Sequence, residues 1–229
     1  MENASGRAPI GQSLLSSFRT LLLSPSTLLI SKPFALICMV YGGTYLTANT
    51  LDTVTSTVTS APSTLVTSGT TKFAASSGAN IGLTLIKDRI FAQLFGPGGP
   101  ARPVPAPSMA LFALRDCMTI FASFNIPPLL GPRLSAHMGA LDATVSGQTV
   151  AQFVAPAAIQ IASTPLHLLG LDLYNRGGSE GWRSRAQTVW RNWGVSTVAR
   201  VCRIVPAFGF GGVVNAKVRR TGMAMWERV

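Results

Sequence analysis

KPFALICMVYGGTYLTANTLDTVTSTVTSAPSTLVTSGTTK, residues 32–72, holds a single charged side chain, Asp52, between its terminal lysines. A second stretch, from Arg133 to Arg176, has only Asp142 and Asp172 between its ends. A spanning helix needs about 20 mostly apolar residues at about 1.5 Å rise each, and both stretches are long enough to supply one. They set the expected fold class: an all-α integral membrane helical bundle of five or six transmembrane helices, with two three-helix inverted repeats as one arrangement of it.

Composition points the same way. The 229 residues have a mean hydropathy of +0.36 and are 12% charged, whereas a soluble domain carries about a quarter charged residues. A soluble protein with a large core is the competing reading, and the charge deficit weighs against it. Gly and Pro are spread through the apolar segments, which helices in lipid tolerate better than helices in water. Lys and Arg number 19 against 8 Asp and Glu, a net charge of +11. Most of this charge sits at the ends of apolar segments, at Arg7, Arg19 and Lys32, at Lys87, Arg89 and Arg102, at Arg176, Arg183, Arg185 and Arg191, and at Lys217, Arg219, Arg220 and Arg228. Such a distribution suits a lipid bilayer with anionic lipids such as cardiolipin as the partner. Lys87, Arg89, Arg176, Arg183, Arg185 and Arg191 are the candidate lipid-headgroup contacts. No basic run is interleaved with stacking aromatics, so nucleic acid is not an expected partner. Cys38, Cys117 and Cys202 show neither a disulfide framework nor zinc spacing and read as small hydrophobes.

The chain divides into four regions. In residues 1–32 the only acidic residue is Glu2, and Ser and Leu dominate with Arg7 and Arg19 among them, as in a mitochondrial presequence. Leu14, Phe18, Leu21 and Leu22 share one helical face, so the same segment also describes an amphipathic helix lying in the membrane interface. Residues 33–128 read as a first three-helix half. Its helices run from Pro33 to about Val58, from about Thr71 to the breaker Gly96-Pro97-Gly98-Gly99-Pro100, and, after a proline connector from Arg102 to Pro107, from Met109 to about Asn125. Ser108 is the expected cap of that third helix, and Pro127 and Pro128 its stop.

Residues 129–217 form the second half, with Leu134 to Val150, then Ala151 to about Tyr174 interrupted by Pro156 and Pro165, as two helices or one long broken one. A solvated basic loop follows at 176–191, with Trp182, Trp190 and Trp193 at a headgroup boundary, and a last helix runs from about Ser196 to Val214. A basic tail, 218–229, ends the chain. The uncharged Thr/Ser loop near Pro62 faces away from the chain start, which by the positive-inside rule places the N-terminus in the matrix.

The chain also matches itself at an offset of about 88. Gly43, Leu46 and Ala48 meet Gly131, Leu134 and Ala136; Asp52 meets Asp142; Gly82 meets Gly170; Arg115 and Cys117 meet Arg200 and Cys202. Duplication of an odd number of spans would relate two halves by a pseudo-two-fold axis in the membrane plane. Ionisable groups at membrane depth are costly and face a partner or a cavity. Asp52, Arg115, Asp116, Asp142, Arg200 and Arg203 are therefore the candidate intramembrane polar residues, with Asp52–Arg115 and Asp142–Arg200 as candidate pairs. Snorkelling of residues near helix ends is the alternative. His137 and His167 are candidate proton relays, beside the plainer reading of packed, hydrogen-bonded histidines.

No phosphate loop, Gly-x-Ser-x-Gly elbow, paired-carboxylate spacing or Cys/His cluster occurs, so no enzyme, cofactor or metal site is expected. Gly209, Gly211 and Gly212 read as helix-packing glycines. At Lys87-Asp88-Arg89-Ile90-Phe91-Ala92-Gln93-Leu94-Phe95-Gly96, the proline connector, and the segment from Arg115 through Cys117, Phe121 and Asn125 to Pro128, the chain resembles a poorly characterised group of fungal and protist mitochondrial multi-pass proteins. The resemblance covers about a quarter of the chain, implies the mitochondrial inner membrane, and brings no named activity. Two roles follow. One is a transport or conduction path for an ion or small anionic metabolite, lined by Asp52, Asp142, Arg115 and Arg200. The other is a non-catalytic structural or accessory subunit, or scaffold, of a mitochondrial membrane complex or homo-oligomer. There Gly42, Gly43, Gly78 and Gly82 would pack against a neighbour's helices.

Overall fold

The computed structural model describes residues 10–62, 64–95, 104–176 and 181–226, and every regular element among them is helical. In chain order these are α1 (Ile10–Leu23), α2 (Pro25–Leu29), α3 (Lys32–Val58), α4 (Thr70–Phe95), α5 (Ala106–Phe124), α6 (Ile126–Met138), a 3-10 turn (Gly139–Ala143), α7 (Gly147–Arg176), α8 (Trp182–Ile204), a π-helical turn (Val205–Phe210) and α9 (Gly211–Trp226). Arg7, the breaker at 96–100, Arg102 and Pro103 of the connector, Gly177, Gly178 and Arg228 lie outside the described residues.

Three stretches among the described residues are long and apolar enough to cross a bilayer: α3, α7, and the run Trp182–Trp226 formed by α8, the π turn and α9. The α5–α6 pair, bent by 41° at Asn125, makes a fourth if it is one span. Three to four candidate spans thus stand where five or six were expected. One cause is α4, whose 26 residues carry too many hydroxyls, Asn80, Lys72 and the Lys87-Asp88-Arg89 run to qualify. Another is the expected helix from Leu134 to Val150, which breaks at Gly139, where φ is +53° and a side chain would be strained. The solvated loop at 176–191 is also mostly helix, since α8 begins at Trp182. At the other end α5 starts at Ala106, so two connector residues are helical, and Ser108 is buried in the helix rather than capping it.

Pro156 and Pro165 do not split α7. Each lacks an N–H, so the carbonyls of Gln152 and Ile161 lose their intrahelical donors. The Ile161 carbonyl instead accepts from the Trp193 indole of α8 at 2.9 Å. In the π turn the Ala207 carbonyl accepts from the Tyr45 hydroxyl at 3.0 Å, and the Phe208 carbonyl from Gln152 Nε2 at 2.8 Å. Backbone that would be costly in hydrocarbon is thus satisfied by side chains from other helices.

Beside a small apolar core that includes Val40, Ile120, Ile204 and Phe208, many apolar side chains are exposed and many polar ones buried. Leu15, Phe18, Leu22, Leu46, Val58, Ile161, Val195 and Val218 are exposed, while Thr44, Ser76, Thr119, Gln160, Ser163 and Thr164 are buried. Such a side-chain distribution suits hydrocarbon rather than water as the surrounding solvent.

The chain divides into two compact units, Met1–Thr44 with Ala79–Pro103, and Tyr45–Gly78 with Val104–Val229, so α3 and α4 each contribute to both. In the first unit, Asn80 Nδ2 donates to Thr44 Oγ1 at 3.1 Å, and a Cβ at Gly43 would lie 2.5 Å from Leu83 Cδ1. In the second, α6 and α7 cross where a Cβ at Gly131 would lie 2.8 Å from Gln148 Cα and one at Gly147 would strike the backbone of Ser135 and Gly131. Gly209 packs on Phe153 and Gly212 on Gln152, as helix-packing glycines do. Among the described residues nothing comes within 4 Å of a Cβ built at Gly42, Gly78 or Gly82. Among the described residues, the two aspartates that the sequence repeat aligns stand in different settings. Asp52 lies inside a helix, whereas its counterpart in the repeat, Asp142, lies in the 3-10 turn.

Candidate functional site

Asp52, 2% exposed, is the centre of a polar cluster in the second unit. The loop after α3 returns the chain so that Lys72, in the first turn of α4, reaches it. Lys72 Nζ donates to Asp52 Oδ2 at 2.8 Å and to the Thr67 carbonyl at 3.0 Å. Asp52 Oδ1 accepts from the Thr67 N–H at 2.9 Å and from its hydroxyl at 2.7 Å. Three donors occupy a carboxylate with about four lone-pair sites. Asn49 and Asn215 exchange amide hydrogen bonds at 2.7 and 3.1 Å, tying α3 to α9, and Arg219 Nη1 donates to the Leu65 carbonyl at 3.0 Å.

These groups line a cavity of ≈ 50 Å³, room for on the order of three water molecules. Its walls combine the Asp52 carboxylate, the cations Lys72, Arg219 and Arg220, and the amides of Asn49, Gln148, Gln152 and Asn215.

A second cluster lies between α5, α7 and α8. Arg200, 7% exposed, donates through Nη2 to Gln160 Oε1 at 2.7 Å and Ser163 Oγ at 3.3 Å. Gln160 Nε2 donates to the Pro156 carbonyl at 2.9 Å and stands 3.5 Å from Thr119 Oγ1. Arg115 binds its neighbour Asp116 through Nε and Nη2, at 2.9 and 2.7 Å, and His167 Nδ1 through Nη1 at 2.9 Å. A guanidinium cannot accept a hydrogen bond, so His167 Nδ1 is the acceptor.

The predicted pairs therefore do not form. Asp52 joins Lys72 instead of Arg115, because the loop brings a cation close in sequence onto it. Asp142 accepts from the Ser135 hydroxyl at 2.6 Å and the Gly147 N–H at 2.9 Å, whereas Arg200 finds an amide and a hydroxyl. Those two donors hold the Asp142 carboxyl below its ordinary range. Arg203 is exposed on α8. His137 is exposed, with Nδ1 2.7 Å from the Arg133 carbonyl.

Of the expected headgroup contacts, Arg89, Arg183 and Arg191 are exposed, and Lys87 pairs with Asp88 at 2.6 Å. Arg176 and Arg185 instead converge on buried Asp172, through Nε at 2.7 Å and Nη1 at 2.6 Å, and fasten α7 to α8. A loop reading made them surface groups, but helix from Trp182 turns Arg185 inward.

Charge counting overlooked the working amides Asn49, Gln148, Gln152, Gln160 and Asn215. Their signal was present, since primary amides inside apolar helices seek partners in a membrane bundle.

A family model described as "Probable citrulline exporter" matches residues 1–223. The chain belongs to that family. No curated protein and no solved structure matches. With its apolar helices, the family makes this a membrane protein of a transporter-like family. The resemblance noted in the sequence is thereby replaced by membership of a family whose description does carry an activity.

Proposed function

We propose that this protein is an exporter, not an enzyme, for citrulline or a similar neutral amino acid with a polar, uncharged side chain, and that the second unit's cavity is the substrate's station. The family description supports export. The observation that carries the substrate class is the cavity's lining, which sets one carboxylate and several cations around four primary amides. A zwitterionic amino acid needs both signs of charge, and a ureido group offers one carbonyl acceptor and several N–H donors that amide side chains complement. As folded the cavity is smaller than an amino acid and would widen on loading; there the ammonium would approach the remaining lone pair of Asp52, the carboxylate Arg219 and Arg220, and the ureido group the amides. Cargo without net charge replaces the expected ion or small anion.

The Ser- and Leu-rich opening, basic at Arg7, Arg19 and Lys32 and acidic only at Glu2, supports a mitochondrial inner-membrane location. The exposed leucines of α1 support an interfacial helix, and Lys87, Arg89, Arg183 and Arg191 would meet anionic headgroups. The test is efflux of labelled citrulline from liposomes containing the purified protein. Saturable efflux that falls in Asn215→Ala supports the reading. Flux equal to that of protein-free liposomes, with stoichiometric co-purification in a large complex, would establish the accessory-subunit role instead.

A further inference from the structure

Polar side chains continue beyond the cavity. On α5, Ser123 lines the cavity and Thr119 and Arg115 follow at four-residue steps on the same face. On α7, Gln152 lines the cavity, and Gln160, Ser163, Thr164 and His167 follow at helical spacing. Thr119 and Gln160 meet across the seam at 3.5 Å, and Gln160, Ser163 and Thr164 are each 0% exposed. Arg200 of α8 reaches this seam, and of its five N–H donors the three on Nε and Nη1 have no acceptor among the described residues. Charge is unbalanced as well: Asp116 pairs with Arg115, and among the described residues no carboxylate pairs with Arg200. A desolvated guanidinium with donors to spare in a membrane helix calls for an anion, and planar carboxylate is the anion its fork matches.

We propose that Arg200, with Gln160 and Ser163, forms a carboxylate-binding station on the α5–α7 seam, separate from the cavity. The carboxylate is either that of the exported amino acid further along its path or an independent small carboxylate. In the first case the inference rests on the proposed export. Pro156 and Pro165 bracket Gln160, Ser163 and Thr164, so the segment facing Arg200 is where α7 lacks two backbone hydrogen bonds and bends most easily.

The experiment uses the full-length protein in detergent, with acetate, citrulline and the carboxyl-capped citrulline amide titrated at constant ionic strength and binding read by calorimetry. Acetate is expected to bind wild type saturably. Its Kd should rise about ten-fold or more in Arg200→Gln, and less in Arg200→Lys, which keeps the charge without the fork. Gln160→Glu supplies an internal carboxylate, and is expected to abolish acetate binding while keeping or raising the thermal midpoint; this covers the case in which Arg200→Gln fails to fold. Competition between acetate and citrulline, with weak binding of the amide, assigns the station to the substrate's own carboxylate, whereas additive binding assigns it to an independent anion. Acetate binding that is absent, matched by chloride, or unchanged in Arg200→Gln and Gln160→Glu overturns the station. If citrulline flux persists in that event, the export reading survives alone. If no citrulline moves but acetate binding still depends on Arg200, the station survives alone.

Discussion

Asp52 and Arg200 are both buried charges in the second unit, yet they are treated differently. Both oxygens of Asp52 are occupied, by Lys72 and by the two donors of Thr67, and Lys72 also holds the Thr67 carbonyl. Arg200 has two neutral acceptors, both reached through one nitrogen. A charge removed from water is tolerable when opposite charge and hydrogen bonds fill its valences, so the first cluster holds together as folded, with one lone pair of Asp52 left for a further donor. The second is finished only by something the described chain does not contain. The contrast separates a lock, which stiffens the loop after α3, from a group held ready.

The largest effect expected from this contrast is at the lock. Lys72→Ala leaves Asp52 buried without its cation and should cost roughly 3–5 kcal/mol, whereas Asp52→Asn with Lys72→Met should recover most of that loss. Thermal or denaturant unfolding in detergent checks it, and a double variant as unstable as the single would break the comparison. Next, Gln160→Leu takes the shorter of Arg200's two contacts away and should cost about 1–3 kcal/mol by the same assay. Replacing the arginine itself should cost less. Arg200→Met removes an under-satisfied charge together with its demand, so stability should stay within about 1 kcal/mol of wild type or rise. A loss as large as that of Lys72→Ala would show that Arg200 is a lock too.

Asp142, half-buried and outside the candidate spans, gives the smallest effect. Its carboxyl is held below the usual range by the Ser135 hydroxyl and then the Gly147 N–H. The stability it contributes is therefore present above the ordinary carboxylate pKa and lost as pH falls through the lowered one. Asp142→Asn should flatten that acid limb of the melting-temperature profile, with the neutral value falling by the small amount that wild type loses on acidification.

Much of the helix layout is legible in the sequence. The expected start of the first helix at Pro33 falls one residue from that of α3, and the expected start at Thr71 one residue from that of α4, because local apolar runs and breakers set those limits. Whether α7 survives its prolines was not legible. The answer depends on Trp193 of another helix filling the carbonyl that Pro165 orphans. The cavity was half legible, since Asp52 drew attention as a lone intramembrane acid while its partner Lys72 was read only as the end of an uncharged stretch.

By itself the sequence determined the solvent and the class of structure: helices with apolar exteriors suited to lipid. Hydropathy and charge density are sums along the chain, and no folded geometry is needed to evaluate them. Tertiary structure alone decided which charges are paired, which amides share a cavity, and which guanidinium keeps donors open. Hydrogen bonds and ion pairs act over about 3 Å, a separation set by helix crossings and not by spacing in the chain.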